Sequence, residues 1–333
     1  MQTEDFNVGT TEAPRLGSVM PRSSTSRRKP ATRARLAATR QSSLDGSRLN
    51  PAMPCAVAFR IVARRHLSSL TDNHAATCDG DEEALHRMRV ALTHLRSWIL
   101  FFSPLVEDQD RADVRDELKW LNRQLGRVRD LDVAIGRIEA TTEAKDLPHL
   151  ASWKDRRTQG HRALARMLQS ARYRRLIEAT SEWIESGSWS RRTDESAEQA
   201  RIAPILAYAL RKLSRWEKRL LKKSRKLHRL DVEKRHRLRL LNKKLNYTIS
   251  SCQDLFADER FAKQETALKH LRKAQRYLGQ LNDDARERAL ARELRGDGVT
   301  MALPAANPER ESRLLEKAAT AYAKLARLKP FRS

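Results

Sequence analysis

Helix breakers are scarce in this sequence. Its 333 residues include only 11 Gly and 11 Pro, several of them within the first fifty positions. A chain this long with so few breakers, and rich in Ala, Leu, Arg and Lys, is predicted to be all-α. Cysteine is scarcer still. Cys55, Cys78 and Cys252 are odd in number and form no CxxC pair. That excludes a disulfide framework and a cysteine zinc site, and reduced thiols point to a cytoplasmic protein. Aromatic residues make up 5% of the chain. No apolar run reaches membrane-spanning length, and no signal-peptide core is present. The Arg/Ser/Thr-rich start has the composition of an organelle presequence, but Glu4, Asp5 and Glu12 argue against one. Acid is also in deficit, with 42 Asp+Glu against 67 Lys+Arg and a formal net charge of +25. Self-repulsion at that level opposes a compact state, and a polyanionic partner is the usual offset. The 40% apolar share is large enough to build a core.

Residues 1–50 contain few large apolar groups and are expected to form a disordered basic tail. Helical patterning begins near Pro54. A first helix is predicted over about 54–71. A second, capped by Asp81, carries Leu85, Met88, Leu92, Leu95, Ile99 and Phe102 at alternating spacings of three and four. A third is expected over about 110–126, closing near Gly126, with another from Asp130 to about Ala144 and two more within 149–185. The stretch 188–199 reads as a linker. Beyond it the predicted helices are a basic one over about 204–230, one from Asp231, and three over about 258–279, 282–295 and 308–328. Asn307 and Pro308 announce the last.

An internal repeat organises these elements. His86-Arg87-Met88-Arg89-Val90 recurs as His236-Arg237-Leu238-Arg239-Leu240, and Leu125-Gly126-Arg127-Val128-Arg129-Asp130 recurs as Leu278-Gly279-Gln280-Leu281-Asn282-Asp283. Two blocks in the same order at nearly the same separation imply two related helical halves, 52–187 and 200–328. Such halves, with about four helices each, are expected to pack about a pseudo-two-fold axis.

The repeat also carries a basic stripe. His86, Arg89, Thr93 and Arg96 lie three, four and three residues apart, flanking the apolar stripe. The second half places His236, Arg239, Lys243 and Asn246 in the same register, with Lys244 beside them and His94 at its counterpart. Donors one helical turn apart stand about 5 Å apart along the axis, a spacing suited to a repeating anion. A single arginine of this kind is usually a solvated residue paired to a carboxylate. A stripe matched in both halves of a strongly basic chain reads instead as a binding surface. Alone, each histidine would read as a half-buried ring bonded to the backbone, and it is their recurrence that points to the site. Residues 201–250 concentrate the charge, with 17 Lys+Arg against 3 Asp+Glu. Asp130 and Asp283 are expected to cap helices or to orient basic side chains. The aromatic residues read as core, except Trp98, which falls off the apolar stripe.

The segments HRMRVALTHLRSWILFF, LNRQLGRVRDLDV and ARYRRLIEATSEWI resemble the first half of CHAD domains, the conserved histidine α-helical domains. HRLRLLNKKLNY, LRKAQRYLGQLNDDA and LARLKPFRS resemble the second half. The resemblance implies two four-helix halves around a basic central groove or pore, binding of inorganic polyphosphate, and association with polyphosphate granules. Carried onto matching positions, the implied binding residues are His86, Arg89, Arg96, His236, Arg239, Lys243 and Lys244, followed by Lys119, Arg123, Arg272 and Arg276. The chain departs from the family pattern at Thr93, His94 and Asn246, where the family usually has basic residues. Some family members carry a fused triphosphatase domain with an ExExK strand motif. No such motif occurs here, so a stand-alone member is expected.

Three functions compete on this reading. A polyphosphate-binding targeting or scaffold protein accounts for the stripe. A non-specific nucleic-acid binder would account for the charge equally well, since phosphate contacts dominate that affinity too, but no recognition motif or aromatic stacking set supports it. An enzyme acting on phosphate polymers would need a carboxylate cluster for Mg²⁺, and the sequence shows none. No enzyme activity, metal or cofactor is therefore expected.

Overall fold

The computed structural model describes residues 48–139, 150–256, 258–296 and 307–331. Among these residues the chain forms eleven α-helices and no strand. In chain order they are α1 (Cys55–Asp72), α2 (His74–Cys78), α3 (Glu82–Phe101), α4 (Arg111–Glu139), α5 (Leu150–Leu168), α6 (Ala171–Ser186), α7 (Glu195–Ile202), α8 (Ile205–Ser224), α9 (Val232–Ser251), α10 (Asp258–Gly296) and α11 (Pro308–Leu328). The second half has the four expected helices, α8–α11. The first has more than four, because a five-residue helix, α2, follows α1 and two helices, α5 and α6, follow α4.

The two histidine-bearing helices are central. α3 packs against α1 before it and α4 after it, α9 packs against α8 before it and α10 after it, and α3 and α9 pack against each other. Local sequence sets their starts. The Asp81 carboxylate accepts hydrogen bonds from the backbone N–H groups of Glu83 at 2.7 Å and Ala84 at 3.0 Å, and that of Asp231 accepts from Lys234 N–H at 2.7 Å. Asn307 caps α11 through Arg310 N–H at 2.8 Å, with Pro308 as first helical residue. Each cap satisfies a donor that the helix itself leaves unpaired.

Gly126 and Gly279 do not end helices. α4 and α10 run straight through them, so the four helices predicted over 110–144 and 258–295 are two. A mid-helix glycine costs about 1 kcal/mol, and burial outweighs that. Val114, Leu118, Leu121, Leu125, Val128 and Ile135 are all buried on one stripe whose three-four phase passes Gly126 unbroken. Ala267, Leu271, Ala274 and Leu278 do the same up to Gly279. Asp130 and Asp283 consequently lie inside helices and cap nothing. Residues 140–149, into which the predicted end of the helix from Asp130 falls, lie outside the described residues, as do residues 1–47 of the expected tail. Leu49, inside that expected tail, is buried in the core, so the folded part begins earlier than predicted.

The basic helix predicted to reach residue 230 ends at Ser224, followed by a 3-10 turn over Leu227–Arg229. The stretch 188–199, read as a linker, is folded. It holds a 3-10 turn over Ser188–Ser190 and the start of α7, capped by Asp194. Trp189 is fully buried, and its indole N–H donates to Trp183 O at 2.9 Å. The Asp108 carboxylate gathers the Trp183 indole N–H at 3.0 Å, Trp189 N–H at 3.0 Å and the Ser188 hydroxyl at 3.2 Å. Trp98 is core after all. It is fully buried and donates to Phe59 O at 3.1 Å, within a cluster that also contains Phe101, Phe102 and Tyr208.

Where α1, α3 and α9 meet, two imidazoles and a phenol stack: His94 lies 4.2 Å from Tyr247 and 4.9 Å from His66, ring centre to ring centre. His66 Nε2 lies 3.1 Å from the Ser251 hydroxyl. Burial first, then the charges of His94 and Arg65, push His66 from the ordinary 6.5 down to about 3. Burial pushes His94 down to about 4.

Two outcomes follow. Trp189→Ala is expected to cost about 3–5 kcal/mol in urea unfolding, the magnitude of a large core cavity. A change below ~0.5 kcal/mol, typical of surface sites, would restore the linker reading. For the histidines, both rings are neutral in the fold near neutral pH, whereas the unfolded chain protonates them as pH falls through 6.5. Their contribution is thus complete above 6.5 and declines on acidification, by up to ~1.4 kcal/mol per ring per pH unit. The thermal midpoint should drop between pH 6.5 and about 5, where carboxylates remain ionised, and His94→Phe should flatten part of that drop. A midpoint constant over this interval would mean that the rings titrate normally.

Candidate polyanion-binding seam

The contact between α3 and α9 brings the two basic stripes together. His86 on α3 feels Lys243 on α9. Its imidazole is held below the ordinary range by partial burial first, then by the charges of Arg129, Arg89 and Lys243, against the opposing pull of Glu83. Farther along the seam, Lys244 on α9 meets Arg96 on α3. Burial, Arg96 and Arg219 on α8 together lower the Lys244 ammonium, and burial and Arg123 on α4 lower the Arg96 guanidinium. Arg239 and Arg89 both bear on the Tyr247 phenol, although burial dominates there and pushes its pKa up. The depressed values have the cause expected of partly desolvated cations facing like charge. An anion laid along the seam would relieve that repulsion and receive charge-assisted hydrogen bonds.

Residues of the two glycine blocks stand near both histidines. Arg129 and Asn282, each three residues after its glycine, face His86 and His236 respectively. His236 Nδ1 lies 3.0 Å from the Asn282 amide oxygen, so in that hydrogen bond the ring nitrogen is the donor. Arg129 donates to Glu82 O at 3.3 Å, and the Glu82 carboxylate holds Arg157 at 3.0 Å. Arg89 is 3.8 Å from the Asp130 carboxylate, so Asp130 fulfils the orienting half of its expected role. A Cβ added at Gly126 would come within 3.9 Å of the Arg89 guanidinium, which therefore lies over the glycine.

Other stripe positions turn away. The Thr93 hydroxyl donates to Arg89 O at 2.8 Å on its own helix. Asn246 is buried, with its amide 3.5 Å from the Gln275 side-chain oxygen. His94 belongs to the uncharged stack beneath the seam. Among the second group of candidates, Arg123 bears on Arg96, and Lys119 lies one turn before it, exposed on α4. Arg272 and Arg276 are exposed one turn apart on α10. Arg129, Arg219, Tyr247 and Asn282 join the seam without having been singled out as site residues. The recurrence of the glycine block gave a signal for Arg129 and Asn282. Arg219 was marked only by the concentrated charge of its helix, and its approach to Lys244 depends on how α8 packs against α9.

Among the described residues, no group of three or more His, Cys, Asp or Glu side chains converges as a metal site would require. No helix among them is long and apolar enough to cross a membrane.

Known proteins give the arrangement a family context. The family model described as "CHAD domain" matches residues 61–292, from within α1 to within α10. No curated protein sequence matches the chain. A solved structure described as the crystal structure of the CHAD domain from the plant Ricinus communis is similar, with a TM-score of 0.65. The two are 23% identical over 84% of this chain and 89% of that one, a likeness that speaks to the fold. The family model covers most of the sequence, both histidine blocks and both glycine blocks included, and this chain belongs to the CHAD family.

Proposed function

We propose that this chain binds inorganic polyphosphate along the seam between α3 and α9 and serves as a targeting or scaffold protein on polyphosphate granules, without enzymatic activity of its own. One observation carries the reading. Cations from α3, α4, α8 and α9 stand in one another's fields where the two halves meet. Such a site is electrostatically incomplete until an anion fills it, and a linear anion with one charge per repeat matches donors set about one turn apart. Arg89, Arg96 and Arg239 supply planar guanidinium forks, Lys243 and Lys244 compact charges, and His86 and His236 ring donors. The family resemblance narrows the polymer from phosphate chains in general to polyphosphate.

Competition tests the reading. Labelled long-chain polyphosphate bound near physiological salt is challenged with matched phosphate equivalents of duplex DNA and of single-stranded RNA. Polyphosphate is expected to resist both. Ready displacement by either would replace the polyphosphate reading with non-specific nucleic-acid binding. The seam itself is tested by the double variant Arg96→Gln, Lys244→Gln. Affinity should fall about tenfold or more, and the slope of log K against log salt should shrink by roughly 1.5 to 2 for the two lost phosphate contacts. The thermal midpoint should hold or rise, because the variant removes two partly desolvated like charges. Unchanged affinity would place the site elsewhere.

A further inference from the structure

Helix α8 carries seven Lys and Arg and one acid, Glu217, which is buried. Ile205, Ala209, Leu213 and Leu220 form its inward stripe, and the helix packs against α9, α11 and α1. At 100° per residue, Arg211, Arg215, Lys218 and Lys222 fall within about 60° of one another on the opposite side, in a row about 16 Å long. All four are exposed. Several exposed cations on other helices have carboxylate partners, among them Arg87 with Asp81, Arg172 with Glu117, Arg237 with Glu233 and Arg313 with Glu309. The four on α8 form no ion pair or side-chain hydrogen bond among the described residues. Like charges at i,i+4 oppose the helix that carries them, so the row is maintained against its own electrostatics. It also connects to the seam. Arg219, on the same helix but turned to one side of the row, lies close enough to Lys244 to lower its ammonium pKa.

We propose that the outward row of α8 is a second contact line for a phosphate polymer, reached across Arg219 only by chains long enough to extend beyond the seam. This rests on the polyphosphate reading and adds a length preference to it. Short oligomers fill the seam alone. Long chains also release counterions from Arg211, Arg215, Lys218 and Lys222.

The test measures the full chain against tripolyphosphate and long-chain polyphosphate at several salt concentrations. One variant carries Arg211→Gln, Arg215→Gln, Lys218→Gln and Lys222→Gln, which keeps helix propensity and surface exposure. A control loses the same charge from exposed positions on α5 and α6, through Arg162→Gln, Arg166→Gln, Arg174→Gln and Arg175→Gln. For the long polymer, the α8 variant should lose about ten- to a hundredfold more affinity than the control, and its salt slope should shrink by roughly 3 to 4. For tripolyphosphate the two variants should behave alike. Equal long-chain losses in both variants would reduce α8 to a share of the general field. An equal loss on both polymers in the α8 variant would make the row part of the seam. Either outcome overturns the length preference while leaving the polyphosphate reading intact. If the parent chain binds neither polymer, the polyphosphate reading fails and takes this inference with it.

Discussion

Packing α3 against α9 forces groups of the same sign into each other's field, and the rest of the fold is arranged so that this contact survives. Arg96 faces Lys244 and His86 faces Lys243 across a junction that also admits Arg123, Arg129 and Arg219. Apolar burial opposes the repulsion. Leu92, Leu95 and Trp98 on α3 and Leu238, Leu245 and Ile249 on α9 are all buried. At about 25 cal/mol per Å² of apolar surface removed from water, side chains of this size contribute roughly 1.5–3 kcal/mol each. That apolar burial opposes the repulsion among the half-buried cations of the seam. The helices can therefore be held together by their cores while their rims repel.

The neutrality of the stack beneath the seam serves the same end. His66, His94 and Tyr247 fill the space where α1, α3 and α9 meet, and burial keeps both imidazoles uncharged. A protonated ring there would add one more buried cation below a row of cations. His94, on a helix of the first half, thus contributes packing across the halves through Tyr247 and adds no charge.

Much of this architecture was legible in the sequence, because it rests on periodicity and on capping. Asp81, Asp231 and Asn307 start helices where their side chains predict, and the repeated His and Gly blocks mark the helices that meet at the seam. Reading Gly126 and Gly279 as breaks failed for a physical reason that the sequence also contained. The three-four phase of Leu118, Leu121, Leu125 and Val128 does not slip at Gly126, and an unbroken phase is stronger evidence of one helix than a single glycine is against it. Trp98 and Trp189 were misjudged for a different reason. Burial of a side chain off the main stripe, or within a polar stretch, is decided by a neighbouring element that no local pattern names. Arg219 belongs to that class too, since only the seating of α8 on α9 brings it to Lys244.

The Asp108 carboxylate ties the segment after α6 to the segment before α4, collecting donors from Trp183, Ser188 and Trp189. The passage from one half to the other is therefore pinned to the first half by hydrogen bonds and is not a slack tether. On the binding proposed above, the anion comes to a seam whose helices are already packed against each other. It meets cations already in place, and capture becomes a matter of encounter. On that binding mode the speed of association follows the reach of the protein's field, which contracts as the Debye length shortens.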